Sequence, residues 1–221
     1  MILDFSIMLP YPQFLLSGLI VTLKLTVVAF ICSFFLAIIL AWLKLSRYKT
    51  VRMLMTFYTS VFRGIPLLVQ IMMTYFAIPQ LIGHNLSPWF AASVTLALNS
   101  SAFMSASIRG GIMAVDYGQR EAAMALGISN VRIMLEIVFP QALRSVMPAL
   151  ANETITLLKS TSLASCISLV DLLRSANLIT SKEYRAFEPL LTVAAIYYIL
   201  VMILSFFSKR IEHSISRSGV R

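Results

Sequence analysis

Glu153 is a carboxylate set in a long apolar stretch, in the run Asn152-Glu153-Thr154-Ile155-Thr156, with Lys159, Ser160, Thr161 and Ser162 close behind. Ionisable side chains in such surroundings are costly when idle, so each is by default a candidate for handling a polar solute. A carboxylate there attracts an ammonium group or a cationic side chain. The competing reading is a structural ion pair. Glu153 and Lys159 are too far apart for an i,i+4 bridge on one helix, so a partner would have to come from another helix. Polar groups also interrupt two other apolar runs, Gln70 and Thr74 in one and Asn99, Ser100 and Ser101 in the other. Small polar residues of this kind either contact a solute or hold helices together, and both readings stand. The candidate substrate path is therefore Glu153, Asn152, Thr156, Lys159, Thr161, Ser162, Asn99, Ser100, Gln70 and Thr74.

Other chemistries lack their residues. No G-x-x-x-x-G-K-[ST] loop occurs, so the chain has no means of cradling nucleotide phosphates and is not expected to hydrolyse ATP. A serine hydrolase needs a histidine base within reach of its serine. His84 and His213, the only histidines, lie far apart, and no H-E-x-x-H pattern appears. Cys32 and Cys166 stand alone in apolar stretches and read as packing residues, not as a disulfide or metal pair. No catalytic residue, metal site or cofactor bound by this chain is expected.

The elements that must position these groups are membrane helices. The chain is 59% hydrophobic and 12% charged over 221 residues, with a mean hydropathy of +0.86. A soluble domain carries about a quarter charged residues; this one has too few polar groups to make a wettable surface. The apolar runs are continuous, without the alternation of a membrane barrel. Runs of about 20 apolar residues suffice to cross a bilayer. They give one all-α domain with five spans, at about 14–43, 53–82, 89–108, 141–167 and 189–207, and a polar loop at 109–140.

Within the second span, Arg63-Gly64-Ile65-Pro66 breaks the helix, because proline removes a donor and restricts the residue before it. Met53–Phe62 is read as entering from the basic side and Pro66–Ile82 as completing the crossing. Arg63 is read as satisfying the freed carbonyls or binding lipid phosphate, ahead of a gate role. The fourth span is expected to kink near Pro148, and Ser168–Phe187 to lie outside the membrane.

The charge of +9 falls between the spans and not on a nucleic-acid face. Thirteen of the eighteen Lys and Arg residues lie at 44–52, Arg63, 109–144 and the tail (Lys209, Arg210, Arg217, Arg221), all on one side of a five-span path. By the positive-inside rule that side is the cytoplasm, with the N-terminus outside and the C-terminus inside. The opening MILDFSIMLPYPQF lacks the basic start of a signal peptide, so the first span is expected to be retained. Lys24 is read as snorkelling outward.

One segment on the basic side carries more information. Gln119–Leu126 is a short run of good helix formers, and Gly127 sits where a helix ends in a left-handed cap. Ala122 and Ala123 leave a smooth surface for close approach, with Glu121 as a fixed charge and Arg120 beside it. Such a helix suits docking to a cytoplasmic partner; an ordinary surface hairpin would also account for it.

This segment resembles the EAA signature of ABC importer permeases, with Glu121, Ala122, Ala123, Gly127, Ile137 and Pro140 at the signature's spacing and Phe139 in place of its leucine. Other segments are similar to the polar-amino-acid branch of that family. Arg63-Gly64-Ile65-Pro66-Leu67-Leu68-Val69-Gln70 differs from the branch element only in Ile65 for Thr, and Leu158-Lys159-Ser160-Thr161-Ser162-Leu163 carries Ser160 for Asp. Ala102-Phe103-Met104-Ser105-Ala106 stands where the branch has Ala-Tyr-x-x-Glu, so the tyrosine hydroxyl and the acid are both missing.

The resemblance implies the type I ABC importer permease fold in an inner (cytoplasmic) membrane. It implies a docking role for Gln119, Arg120, Glu121, Ala122, Ala123 and Gly127. The partners it implies are a cytoplasmic ATPase dimer carrying ATP and Mg, a second permease copy or paralogue, and an extracytoplasmic amino-acid-binding protein docking near Ser168–Phe187. Membrane lipid is a further expected partner and nucleic acid is not. The implied cargo is a polar amino acid, and Glu153 favours a cationic one. The rival reading is a secondary transporter or channel working without an ATPase, which leaves the 118–140 segment unexplained.

Overall fold

The computed structural model describes residues 3–218, without the side chains of Ile211 and residues 213–218. The readings of His213, Arg217 and Arg221 and of the first two residues lie outside what is described. The described chain is helical, beginning with a short 3-10 turn, Phe5–Met8. The helices are α1 (Pro12–Leu43), α2 (Lys49–Gly64), α3 (Leu67–Ile82), α4 (Pro88–Ala114), α5 (Tyr117–Ala125), α6 (Asn130–Ile167), α7 (Leu172–Glu183) and α8 (Phe187–Ser218).

α1 shows why the bundle suits hydrocarbon. It is apolar around its whole circumference, yet its inward stripe is made of small residues. Ala29, Ser33, Ala37 and Ala41, four residues apart, are fully buried against α4, while Leu16, Val27, Ile31, Phe35 and Ile39 point outward. Burying large apolar groups gains nothing where lipid is equally apolar; small residues let helix backbones approach and pack. The same logic places Gly111 of α4 against α6. A Cβ there would stand 2.4 Å from Val146 Cγ1 and 2.9 Å from the Ala142 carbonyl.

α4 is the central helix, flanked by α1, α2, α3 and α6. Its inner side carries Ala91, Ala92, Leu96, Asn99, Ser101, Met104 and Ile108, all buried. One core cluster joins Ala37, Ile108, Ile112, Val138 and Ala142. A second joins Leu25, Ile71, Leu96 and Leu157. A third joins Leu15, Leu172, Ile179 and Val193 at the opposite end. The cations of 44–52 and 109–132 flank the first cluster.

The extent of the polar loop is corrected. α4 runs on to Ala114 and α6 begins at Asn130, so the 109–140 stretch is mostly helix and not loop. The apolar window marks where hydrocarbon ends, and charged residues extend a helix beyond it without breaking it. The break expected at Arg63–Pro66 is present: α2 and α3 are bent by 103° at Ile65–Pro66, where Ile65 takes the extended geometry that a following proline favours (φ −94°, ψ 133°). Pro148 lies inside α6, which continues through it. Cys32 and Cys166 are free and exposed on the outer surface, not packed within.

Replacing Gly111 with Val would push α4 from α6. The expected loss is about 1–3 kcal/mol of stability, as for overpacked cores, read as a lower melting temperature in detergent. An unchanged melt would show that the close approach is not structural.

Candidate functional site

The first candidate site is α5. Asp116 caps its start, its Oδ1 accepting from the Gly118 amide at 3.0 Å. At its end Gly127 adopts φ +74°. The Gly127 amide donates to the Met124 carbonyl (2.9 Å) and the Ile128 amide to the Ala123 carbonyl (3.1 Å), the paired bonds of a Schellman cap. Ile128 and Ala123 pack together in the first core cluster, which supplies the hydrophobic contact that usually accompanies that cap.

Arg120 turns back toward the bundle, donating from Nη2 to the Ile112 carbonyl at 2.9 Å, and so anchors α5 to the end of α4. Of the two alanines, Ala122 is exposed and Ala123 is buried; the smooth outer surface is Ala122 alone, because successive helix positions are about 100° apart. Gln119, Glu121 and Gly127 are exposed. Around them lie Tyr117 (61% exposed), Met124, Leu126 (81%) and Val131. α5 is therefore a rigidly capped helix with exposed apolar surface at the basic end.

The second candidate site is the interior. At the α2–α3 break, Pro66 has no amide to offer the Phe62 carbonyl. Gln70 and Asn99 substitute for it. Gln70 Nε2 donates to the Phe62 and Ile65 carbonyls at 2.9 and 2.7 Å, and Asn99 Nδ2 donates to the Phe62 carbonyl at 2.8 Å and to Gln70 Oε1 at 3.2 Å. Thr74 donates to the Gln70 carbonyl (2.9 Å) and accepts from Thr95 (2.8 Å). Gln70, Thr74 and Asn99 thus form one network that holds the break. Arg63, read as meeting those carbonyls or binding lipid phosphate, does not meet the carbonyls; it stacks its guanidinium on the Phe103 ring, 5.1 Å from its centroid. Neither Tyr58 nor Thr95 stands out in the sequence. Tyr58 hydroxyl donates to the Leu98 carbonyl (2.9 Å) and faces Ser101, a role visible only once α2 and α4 are side by side.

On α6, Glu153 is half-buried and has Ser100 of α4 as a hydrogen-bonding neighbour. Beside it run Ser145, Ala149, Asn152, Thr156 and Lys159, all exposed and spaced by three or four residues. This makes a polar stripe along one face of a membrane-length helix. Thr161 is fully buried and donates to the Leu158 carbonyl; Ser162 donates to the Lys159 carbonyl. The structure therefore brings Glu153 and Ser100 together and sets Asn152, Thr156 and Lys159 on the adjacent open face. It separates Thr161 from that face, and Gln70 and Thr74 are engaged in the break.

Residues 33–217 match the family described as the binding-protein-dependent transport system inner membrane component. The arginine transport system permease protein ArtQ of Bacillus subtilis is 43% identical over 213 residues, 96% of this chain and 97% of that one. Among solved structures, an amino acid ABC transporter crystallised with histidines matches with a TM-score of 0.87 and 40% identity, over 95% of this chain and all of that one. The MetNI methionine ABC transporter in inward-facing conformations matches with a TM-score of 0.80 at 21% identity, over 93% of this chain and 98% of that one, a likeness of fold.

Replacing Gln70 with Leu would leave the Ile65 carbonyl without its side-chain donor and the Phe62 carbonyl with Asn99 alone. The expected loss is about 1–3 kcal/mol, seen as a lower melting temperature even with no solute present. If solute affinity fell while the melt stayed unchanged, Gln70 would instead be a solute contact.

Proposed function

This chain belongs to the binding-protein-dependent transport system inner membrane component family and is the permease subunit of an ATP-driven importer; on that premise we propose that it carries a polar, cationic amino acid inward, driven by an ATPase docked on α5. The carrying observation is α5 itself, capped at both ends, anchored by Arg120, and presenting Glu121, Ala122 and an apolar rim outward. A secondary transporter or channel working without an ATPase has no use for such an element.

The rest of the reading fits around it. Two permeases, identical or related, stand with their α6 stripes facing, since a stripe of Asn152, Thr156 and Lys159 would be costly against hydrocarbon. Two ATPase subunits, carrying ATP and Mg, close and push both α5 helices, so that the path opens alternately outside and inside. The N-terminus lies outside, in keeping with the grouping of Lys and Arg at the α5 end. A binding protein delivers the amino acid near α7, whose outer face shows Leu178, Lys182 and Tyr184. The cargo assignment leans on the name of the arginine permease relative and on the histidines of the solved transporter. Glu153 supplies the matching negative charge.

Two substitutions test this in the reconstituted complex. Gly127→Val forces a β-branched residue into a left-handed conformation, at a local cost of about 1–2 kcal/mol. Uptake should fall at least severalfold while the protein still inserts, and full uptake with an attached ATPase would refute the docking role. Glu153→Gln should reduce uptake of a cationic amino acid about tenfold or more, with a much smaller effect on a neutral one. Equal losses would make Glu153 structural.

A further inference from the structure

A cleft of about 810 Å³ opens between the inner halves of α2 and α4, at the end of α1. Three cations from three helices line it: Lys44, Arg63 and Arg109. Thr56, Thr59 and Ser60 add hydroxyl groups, and no Asp or Glu is among the lining residues. The ion pairs among the described residues join Arg185 to Asp4 and Glu188 instead. Lys44 Nζ is held by the Thr59 hydroxyl at 2.8 Å. Burial, and then the charges of Arg109 and Arg63, hold its ammonium below the usual lysine range, so the three charges are close enough to repel. At Gly64 and Gly110, which also line it, a Cβ would meet nothing within 4 Å, so open space adjoins the backbone there. Gln70 and Asn99 meet the broken helix's carbonyls, so among the described residues the Arg63 guanidinium has only its ring contact with Phe103.

Three cations lining one cleft with no carboxylate among its lining residues suit an anionic group. Its neighbourhood says which kind. Met113 (63% exposed), Phe57 (69%) and Leu54 stand outward on the same two helices, so a cationic, hydroxyl-lined cleft adjoins an apolar strip. Basic pockets between membrane helices on the cytoplasmic side suit the phosphate of a lipid headgroup, with acyl chains along the strip.

We propose that Lys44, Arg63 and Arg109 form a binding site for the phosphate of an anionic phospholipid, seated between α2 and α4. The lipid supplies the charge that the chain lacks at Ala106, a cleft-lining position that carries no acid. It thereby ties the inner half of a broken helix to the central helix α4. The proposal rests on the chain spanning a membrane with its basic end inward. It is read by binding, so its failure would leave the import reading untouched.

The test uses the purified permease–ATPase complex in detergent, titrated with dihexanoyl-phosphatidylglycerol, dihexanoyl-phosphatidylcholine and inorganic phosphate, with bound lipid counted by native mass spectrometry. The phosphatidylglycerol analogue should bind saturably, and the phosphatidylcholine analogue about tenfold or more weakly. The triple variant K44Q/R63Q/R109Q should lose that preference, and K49Q/R52Q, outside the cleft, should keep it. Ala106→Glu removes no cation and adds a carboxylate to the cleft; it should abolish the preference too, guarding against a triple variant that fails to assemble. Equal binding of both lipids, unchanged binding in Ala106→Glu, or inorganic phosphate binding as tightly as the lipid would each overturn the proposal. So would a carboxylate of the neighbouring permease found paired with Arg63 or Arg109 in the assembled complex.

Discussion

A buried backbone carbonyl that loses its helical partner has no water to turn to, and the α2–α3 break confronts the chain with that problem. Pro66 withdraws the amide, and the Phe62 and Ile65 carbonyls must be met by side chains. Gln70 and Asn99 meet them, and Thr74 and Thr95 hold Gln70's own helix turn. With those carbonyls satisfied, the chain can bend by 103° without losing the fold. With the break held by Gln70 and Asn99, Arg63 lines a cleft beside Phe103 and Tyr58 bonds onto α4. Much of the functional geometry follows from satisfying two carbonyls.

The other constraint is the lack of a hydrophobic drive between helices in lipid. Packing here relies on close approach, through the alanine and serine stripe of α1 and Gly111 of α4. Large apolar residues are spent on the outer surface, where they meet acyl chains. Rigid packing around α4 in turn gives α5 a fixed base. Arg120 bonds to the end of α4, and Ala123 and Ile128 pack into the same cluster as Ile112 and Ala142. A push delivered at Ala122 would therefore reach the central helix through bonded and packed contacts.

The all-helical membrane character was legible because a continuous apolar run of membrane length, polar on no face, is stable only in hydrocarbon or in a core larger than this chain can build; the structure has four such helices, or five if the bent α2–α3 pair is one span. The Gly127 cap was legible because glycine after a run of helix formers points to a left-handed end. Helix ends were not: Arg109 and Arg132 extend helices past the apolar window, and composition cannot show that. The facing of Ala122 and Ala123 was hidden because the motif gives spacing and not rotation about the axis. Gln70 and Asn99 read equally well as solute ligands or helix glue until Phe62 was placed between them. Lys44, Arg63 and Arg109 are scattered along the chain, and only the packing of α1, α2 and α4 gathers them.

The central claim is that α5 transmits force from a separate ATPase through its outward face. Single cysteines at positions 122 and 123, in a chain cleared of Cys32 and Cys166, would be tested for cross-linking to the co-purified ATPase subunit. Ala122→Cys should form an adduct and Ala123→Cys, facing the core, should not. Adducts at both positions or at neither, or a chain that imports solute with no ATPase attached, would contradict the account.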